Sequence, residues 1–277
     1  RMDVVSSYGY AWGYIGSCIP FIISLIFVLG NEAIGISMGT AMTIAFLLNA
    51  GWWLLATLPL LKNYEQKNYI ERPKHVFRSS FGRLAGTFKE MKKHKKIFMF
   101  LLAFFFYIDG VYTIIEMATA YGSALGLDST GLLLALLLTQ IVAFPFALIF
   151  GRLAKQYETG KLIKACILAY ICIALFAIQL DKQWEFWALA VCVGMFQGAV
   201  QALSRSYFAK IIPAEKSGEF FGIFDICGKG ASFMGTALMG MFAQITGSPN
   251  GGVAILAVMF VIGFILFGKA EKIESGK

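Results

Sequence analysis

The sequence contains eight long apolar stretches, separated by polar segments that are short except for one. A helix rises about 1.5 Å per residue, so roughly 20 apolar residues cross the ~30 Å hydrocarbon core of a bilayer. Charged residues make up 14% of the chain, against about 25% in soluble proteins. We therefore predict an all-α integral membrane protein. The predicted spans, helices A to H, are Gly9–Gly30, Ile34–Leu61, Ile97–Tyr121, Thr130–Phe150, Lys161–Leu180, Glu185–Ala209, Gly218–Ile245 and Val253–Phe267.

The distribution of lysine and arginine predicts the orientation of the chain. The segment Lys62–Lys96, between helices B and C, contains eleven of them, whereas the loops at the opposite helix ends contain only Lys182. Positive residues accumulate on the cytoplasmic side, so we expect both termini and the long segment to be cytoplasmic. The net charge of +8 comes largely from these loops. We therefore expect the lipid bilayer, and not nucleic acid, as a partner.

The long segment is predicted to contain a helix of its own. Phe77, Phe81, Leu84, Phe88 and Met91 recur at spacings of 4, 3, 4 and 3, and basic residues fill much of the rest. This periodicity is typical of a basic amphipathic helix lying on the inner membrane surface. A helix packed beneath the bundle explains the same pattern equally well.

Helix C carries two carboxylates, Asp109 and Glu116, within an otherwise apolar run. A charge at membrane depth costs at least about 2.5–3.5 kcal/mol on insertion scales, so such residues usually serve a function. The two are seven residues apart and therefore share one helix face. We expect this face to look into the bundle interior or a watery cavity and to bind cargo or protons. The alternative for each carboxylate is a hydrogen bond to a neighbouring helix.

Three further polar residues lie, like Asp109, about ten to twelve residues from one end of their spans: Gln140 in helix D, Gln197 in helix F and Lys229 in helix G. This spacing puts all four near mid-membrane, the depth at which transporters bind their cargo. Helices E and H have almost no polar residues and are predicted to be peripheral. For Gln140, a hydrogen bond to a neighbouring helix is the alternative interpretation and is favoured over contact with cargo.

Two groups of polar residues follow helical spacing. Gln197, Gln201 and Arg205 form a stripe along helix F, and Asp225 precedes Lys229 by one turn in helix G. We include Gln201, Asp225 and Lys229 among the candidate residues of a substrate or proton pathway. The alternatives are that Asp225 and Lys229 pair with each other, and that Arg205 reaches out to lipid phosphates.

The sequence does not predict an enzyme, a cofactor or a metal site. The five cysteines lie in apolar segments without CxxC spacing, both histidines lie in one loop, and an HExxH motif is absent. We interpret the cysteines as small apolar residues. A membrane scaffold or receptor that uses the basic loop helix is the alternative to a transporter, and an intramembrane enzyme is a more distant one.

Four segments carry a family resemblance. They are YIDGVYT (Tyr107–Thr113) with AxxYG (Ala118–Gly122), GRLAKQYETGK (Gly151–Lys161), QGAVQALSRSYFAKIIP (Gln197–Pro213) and EFFGIFDICGKGA (Glu219–Ala231). In this order they resemble the vacuolar amino-acid effluxer-like branch of the major facilitator superfamily. Because this branch has bacterial members, the resemblance implies a bacterial inner membrane as the location.

The resemblance implies twelve helices in two six-helix halves joined by a cytoplasmic loop. Residues 1–61 would then hold the last two helices of the first half, residues 62–96 the loop and residues 97–277 the complete second half. The chain would lack the first four helices. The resemblance also implies a cytoplasmic loop or gate that comprises Gly151, Arg152, Gly160 and Lys161, together with Arg205.

The function implied is secondary transport by alternating access between the two halves. Amino acids or similar small metabolites would be exported. Asp109 would carry a proton or hold a cargo amine. Lys229 would bind a carboxylate, or hold Asp109 or Asp225 in the charged state until protonation releases it.

Overall fold

The computed structural model describes residues 2–65 and 76–273, and all regular secondary structure within them is helical. The α-helices are α1 (Met2–Leu29), α2 (Asn31–Ile34), α3 (Met38–Asn63), α4 (Val76–Lys93), α5 (Lys95–Ala124), α6 (Ser129–Leu153), α7 (Thr159–Ala177), α8 (Gln183–Ile211), α9 (Ser217–Thr246) and α10 (Pro249–Lys272). Residues 66–75, part of the predicted loop between helices B and C, lie outside the described residues.

The eight long helices α1, α3 and α5–α10 correspond to the predicted spans A to H. Seven of them are long and apolar enough to cross a membrane. The eighth, α9, has 30 residues, but Glu219, Asp225 and Lys229 lower its hydropathy. The all-α membrane fold predicted from the apolar stretches is therefore confirmed.

Several helices extend beyond the apolar stretches that predicted them, because local capping groups set their ends. Helix α10 begins at Pro249, four residues before the predicted start of helix H, where the Ser248 hydroxyl caps the backbone N–H of Asn250. Asp128 caps α6 by accepting the N–H of Gly131 at 2.6 Å. Side-chain oxygens at this position satisfy N–H groups that have no partner in the first turn.

Two compact units are distinguished within the chain, and the larger comprises residues 1–14 and 83–277. Within it α5 is central and packs against α8, α9 and α10, while α6 packs against α8. Helix α7 packs against α8 and α10. This arrangement buries α5 on several sides, and Tyr107, Asp109 and Thr113 are all fully buried.

Aromatic side chains fill the core of the larger unit near the beginning of α5. The ring of Phe100 lies 5.1 Å from that of Tyr207, 5.8 Å from that of Phe208 and 6.0 Å from that of Phe267. These distances are within the range of favourable aromatic pairs, which contribute about 0.5–1.5 kcal/mol each beyond burial. The cluster packs α5 against α8 and α10, nearer the beginning of α5 than Asp109 is.

The helix predicted in the long loop is α4, and its residues 83–93 belong to the larger unit, where they pack against the other helices. Met91 is fully buried. The Thr87 hydroxyl donates to Glu219 Oε2 at 2.8 Å, and Lys216 Nζ donates to both carboxylate oxygens of Glu90 at 2.7–2.8 Å. Side chains at i and i+4 share one face, so Thr87 and Met91 form a stripe that contacts the bundle. This part of α4 is therefore packed beneath the bundle, as the second of the two interpretations of its sequence pattern predicts.

The smaller unit comprises residues 15–82. The Asn49 side-chain amide of α3 donates to the Ser24 hydroxyl of α1 at 3.1 Å, and Ser24 donates to its own helix at Pro20 O. Polar bonds of this kind join helices within a bilayer, where they contribute about 0.6–2 kcal/mol.

Candidate functional site

Asp109 of α5 is fully buried and points at the backbone of α9. Its Oδ1 accepts the N–H of Gly235 at 2.8 Å and the Thr113 hydroxyl at 3.4 Å. Its Oδ2 is buried and has no hydrogen-bond partner among the described residues. The carboxyl group is thus held by one oxygen, while the second remains available for a proton.

Gly235 makes this contact possible because it has no side chain. A Cβ at this position would overlap both Thr113 Oγ1 and Asp109 Oδ1. Small residues let helices approach closely in membranes. Here the close approach also presents a backbone N–H to a buried carboxylate, which satisfies part of its hydrogen-bonding capacity.

Glu116, two turns further along α5, also faces α9 but is exposed. The Ser232 hydroxyl lies 2.9 Å from both of its carboxylate oxygens. The two carboxylates of helix C therefore lie in different environments: Asp109 is buried between two helices, and Glu116 lies at the exposed edge of the same contact.

Asp225 and Lys229 do not pair with each other, contrary to one interpretation of their spacing. Asp225 pairs with Arg205 of α8 at 3.7 Å, and the Arg205 guanidinium lies 4.9 Å from the ring of Phe221. Arginine has the longer reach and can satisfy both contacts at once. The Arg205 side chain remains partly exposed in this pair, so its reach to lipid phosphates stays a prediction.

Lys229 is exposed, and within the described residues it has no ion pair. The expected contact with Asp109 is absent because Asp109 meets α9 at Gly235, six residues later. Six residues correspond to a rotation of about 240°, which turns Lys229 away from Asp109. Lys229 lies instead one turn before Ser232, on the side of α9 that Ser232 shares with Glu116.

Gln197 of α8 is 1% exposed, yet neither its Oε1 nor its Nε2 has a partner among the described residues. Gln201, one turn later, is 9% exposed and forms a side-chain hydrogen bond with Tyr14 of α1. The two amides of the predicted stripe therefore differ, because only Gln201 is satisfied by protein.

Gln197 lines a cavity of about 90 Å³ inside the larger unit. Helices α5 to α10 all contribute to its walls, and most of the lining residues are aliphatic or aromatic. The polar side chains in the lining are Thr113, Tyr121, Thr139, Gln140 and Gln197. Gln140 and Gln197, predicted from different helices, are thus brought to one cavity, while Thr113 connects it to Asp109.

The predicted cytoplasmic loop divides into packed and exposed positions. Gly151 and Gly160 are buried, and a Cβ would overlap Ser7 at the first position and Glu271 at the second. Arg152 and Lys161 are exposed, and Lys161 pairs with Glu158 at 3.1 Å. The glycines therefore serve close packing, and the basic residues remain at the surface.

A polar cluster near this loop has no counterpart in the sequence prediction. Asp3 at the start of α1 is 6% exposed and accepts from Ser206, Thr159 and Lys210 at 2.6, 3.1 and 2.5 Å. Lys210 also donates to Thr159 at 2.8 Å. Asp3 is six residues before the predicted start of helix A, and apolar periodicity therefore gives no signal for it. Charge-assisted hydrogen bonds of this kind are about twice as strong as neutral ones.

Within the described residues, no group of three or more His, Cys, Asp or Glu side chains could hold a metal ion. The arrangement instead combines buried, partly unsatisfied polar groups with exposed charges on α5 and α9. These groups can bind small polar molecules or protons by hydrogen bonds and charge.

Comparison with known proteins identifies the family and the fold. The family model for vacuole effluxers of the Atg22-like type matches residues 1–277. The MFS-type transporter YxiO of Bacillus subtilis is 44% identical over 268 residues, which cover 96% of this chain and 63% of YxiO. Autophagy-related protein 22-1 of Neosartorya fischeri is 24% identical over 301 residues, covering 99% and 48% of the two chains.

Among solved structures, the Escherichia coli fucose:proton symporter FucP is similar with a TM-score of 0.65 and 16% identity, over 98% of this chain and 72% of that one. At this identity the match shows the fold alone. The chain spans between about half and two thirds of the length of these curated relatives. Since the family model matches all of it, the chain belongs to the vacuole effluxer Atg22-like family, with the fold of the major facilitators.

Proposed function

We propose that this chain is part of a secondary transporter that exports amino acids or similar small metabolites by alternating access, and that Asp109 couples the transport to protons. The observation that carries the proposal is the Asp109 carboxyl group, which is fully buried at mid-span with one oxygen bonded to Gly235 N–H and the other unpartnered. Ionisable groups at membrane depth are typical of proton relays in transporters.

The hydrogen bond to Gly235 provides a way for protonation to change the helix packing. A bond from N–H to an ionised carboxylate is about twice as strong as one to a neutral acceptor. Proton uptake at Asp109 therefore weakens the link between α5 and α9, and proton release restores it. A link whose strength follows protonation biases a two-state helix arrangement, as coupled transport requires.

The exposed charges near this link suit a zwitterionic cargo. Glu116 can hold an ammonium group, and Lys229 can hold a carboxylate because it has no ion pair within the described residues. Ser232 connects them, since it donates to Glu116 and lies one turn from Lys229. Amino acids carry both groups, which is why we prefer them as cargo.

The membership of the Atg22-like family supports export as the direction of transport, because the family name describes vacuole effluxers. The related fold of FucP belongs to a protein described as a fucose:proton symporter. In this chain, export, proton coupling and alternating access are parts of the proposal.

The test uses the full-length protein in proteoliposomes. Under an imposed pH gradient, we expect Asp109→Asn to abolish net amino-acid flux while exchange of labelled for unlabelled cargo continues, since exchange needs no net proton transfer. The matched control is Asp128→Asn, the same chemical change at a helix cap, where asparagine also serves well. Unchanged pH-driven flux in Asp109→Asn would contradict the role of this carboxyl group.

A further inference from the structure

We propose that the cavity around Gln197 is a binding site for a small, uncharged, mainly apolar molecule that carries a carboxamide group, and that this site is separate from the cargo site. The cavity lies inside the larger unit, and all six helices α5–α10 contribute to its walls. Its ligand class follows from the hydrogen-bonding state and the charge of the lining residues.

The Gln197 amide is the only fully buried side chain of the lining for which neither polar atom has a partner among the described residues. An amide in this state lacks acceptors for both N–H groups of Nε2 and at least one donor for Oε1. Buried polar groups are almost always satisfied, by protein, water or ligand. A molecule that offers one acceptor and one donor side by side would satisfy both atoms.

The other polar groups of the lining are already engaged or lie at its edge. The Thr139 hydroxyl lies 2.9 Å from Ala135 O and 3.2 Å from Ala190 O. The Tyr121 hydroxyl lies 2.6 Å from Ala177 O and 2.9 Å from Asn250 Oδ1. Gln140 is half-buried and has no hydrogen bond among the described residues. The unsatisfied hydrogen-bonding groups of the lining are therefore mainly the side-chain amides of Gln140 and Gln197.

No Asp, Glu, Lys, Arg or His is among the lining residues. Burying a charge without a counter-charge is very costly, which excludes a carboxylate, an ammonium group and an amino-acid zwitterion as occupants. The remaining lining is aliphatic and aromatic, and favours an apolar body. A carboxamide supplies an adjacent donor and acceptor that pair with Gln197 through two hydrogen bonds.

Occupancy of this site would affect the carboxyl site, because Thr113 lines the cavity and also donates to Asp109. A ligand that contacts Thr113 stabilises the arrangement in which α5 and α9 are linked through Asp109 and Gly235. Such a ligand would inhibit transport, because it favours one of the two arrangements of α5 and α9.

The experiment measures thermal unfolding of the purified full-length protein in detergent with three probes of nearly equal shape: isovaleramide, isovalerate and isopentylamine. We expect isovaleramide to raise the unfolding temperature in a saturable manner, and the charged analogues to have no effect at the same concentrations. Equal shifts with all three probes, or no shift with isovaleramide or its homologues from acetamide to hexanamide, would overturn the proposal.

Two variants of the cavity test whether isovaleramide binds at Gln197. Gln197→Leu keeps the size and removes the amide, and we expect at least tenfold weaker isovaleramide binding. The matched control is Gln244→Leu, at an exposed glutamine of α9, which should bind as the wild type does. Val193→Phe fills the cavity and leaves Gln197 in place, so it keeps the test decisive if Gln197→Leu does not fold. Undiminished binding in both cavity variants, or loss of binding in the control, would refute the assignment.

Discussion

The contact between Gly235 and Asp109 predicts an unusually large cost for adding one methyl group. A Cβ on residue 235 would overlap Asp109 Oδ1 and Thr113 Oγ1, so Gly235→Ala must displace the carboxylate. Losing a hydrogen bond to a charged group costs about 1.5–3 kcal/mol, and overpacking costs about 1–3 kcal/mol. Alanine favours the helix by about 0.5–1 kcal/mol. We therefore expect a net destabilisation of about 2–5 kcal/mol.

Gly240→Ala is the matched control, since it lies in the same helix and a Cβ there would meet no atom within 4 Å. It should be neutral, or stabilising by up to about 1 kcal/mol. The assay is unfolding of the purified protein by denaturant titration in detergent micelles, followed by tryptophan fluorescence. If Thr113→Ala is added to Gly235→Ala, part of the loss should be recovered because one of the overlaps is removed. Equal stability of Gly235→Ala and Gly240→Ala would refute the close approach of α5 and α9.

Three further predictions concern other polar groups. Gln197→Leu should stabilise the ligand-free protein by about 1–3 kcal/mol, because it removes a buried amide whose two atoms lack partners; destabilisation in the same titration would contradict this. Lys210→Met should lower the free energy of unfolding by about 1–2 kcal/mol, because it leaves Asp3 buried without its cation. Solvent screening keeps this cost modest, since the Lys210 side chain is 40% exposed. Unchanged stability of Lys210→Met would contradict a stabilising role of the Asp3 cluster. The hydrogen bond from Lys216 lowers the pKa of Glu90, and Glu90 raises the pKa of Lys216. The stabilisation from this pair is therefore present between the ordinary pKa values of the two groups, roughly 4 to 10, and is lost as the pH falls through the lowered pKa of Glu90 or rises through the raised pKa of Lys216. Unfolding profiles of wild type and Glu90→Gln should converge at acid pH, and a constant difference would show that the pair does not titrate in this way.

Hydropathy and helix periodicity predict the long helices well, because each apolar stretch must be long enough to cross the bilayer. The position of Asp109 within such a stretch also gives reason to expect an interior location. The predicted ends of the helices are less accurate. Ser248 and Asp128 show why: side-chain caps set the helix starts, and these lie outside the apolar stretches.

The sequence does not predict which side chains of different helices contact each other. Spacing alone suggests that Asp225 pairs with Lys229, whereas packing brings Arg205 of another helix to Asp225. Likewise, only the structure shows that Gly235 presents its N–H to Asp109. Such contacts depend on rotation and depth of two helices that are far apart in sequence.

The cavity and the Asp3 cluster were unpredicted for the same reason. Residues from six helices surround the cavity, and Asp3 meets Thr159 and Ser206 across more than 150 positions of sequence. Thr113 is the exception, since it follows Asp109 by one turn within the YIDGVYT segment. That spacing could have indicated a hydroxyl donor to the carboxylate.

The most direct test of proton coupling is to count protons during cargo movement. Full-length protein is placed in weakly buffered proteoliposomes that contain a pH-sensitive dye, and neutral amino acids are added on one side without an imposed pH gradient. Our account predicts a change in internal pH that accompanies amino-acid flux in the wild type and is absent in Asp109→Asn. The same pH change per amino acid transported in wild type and Asp109→Asn would contradict it.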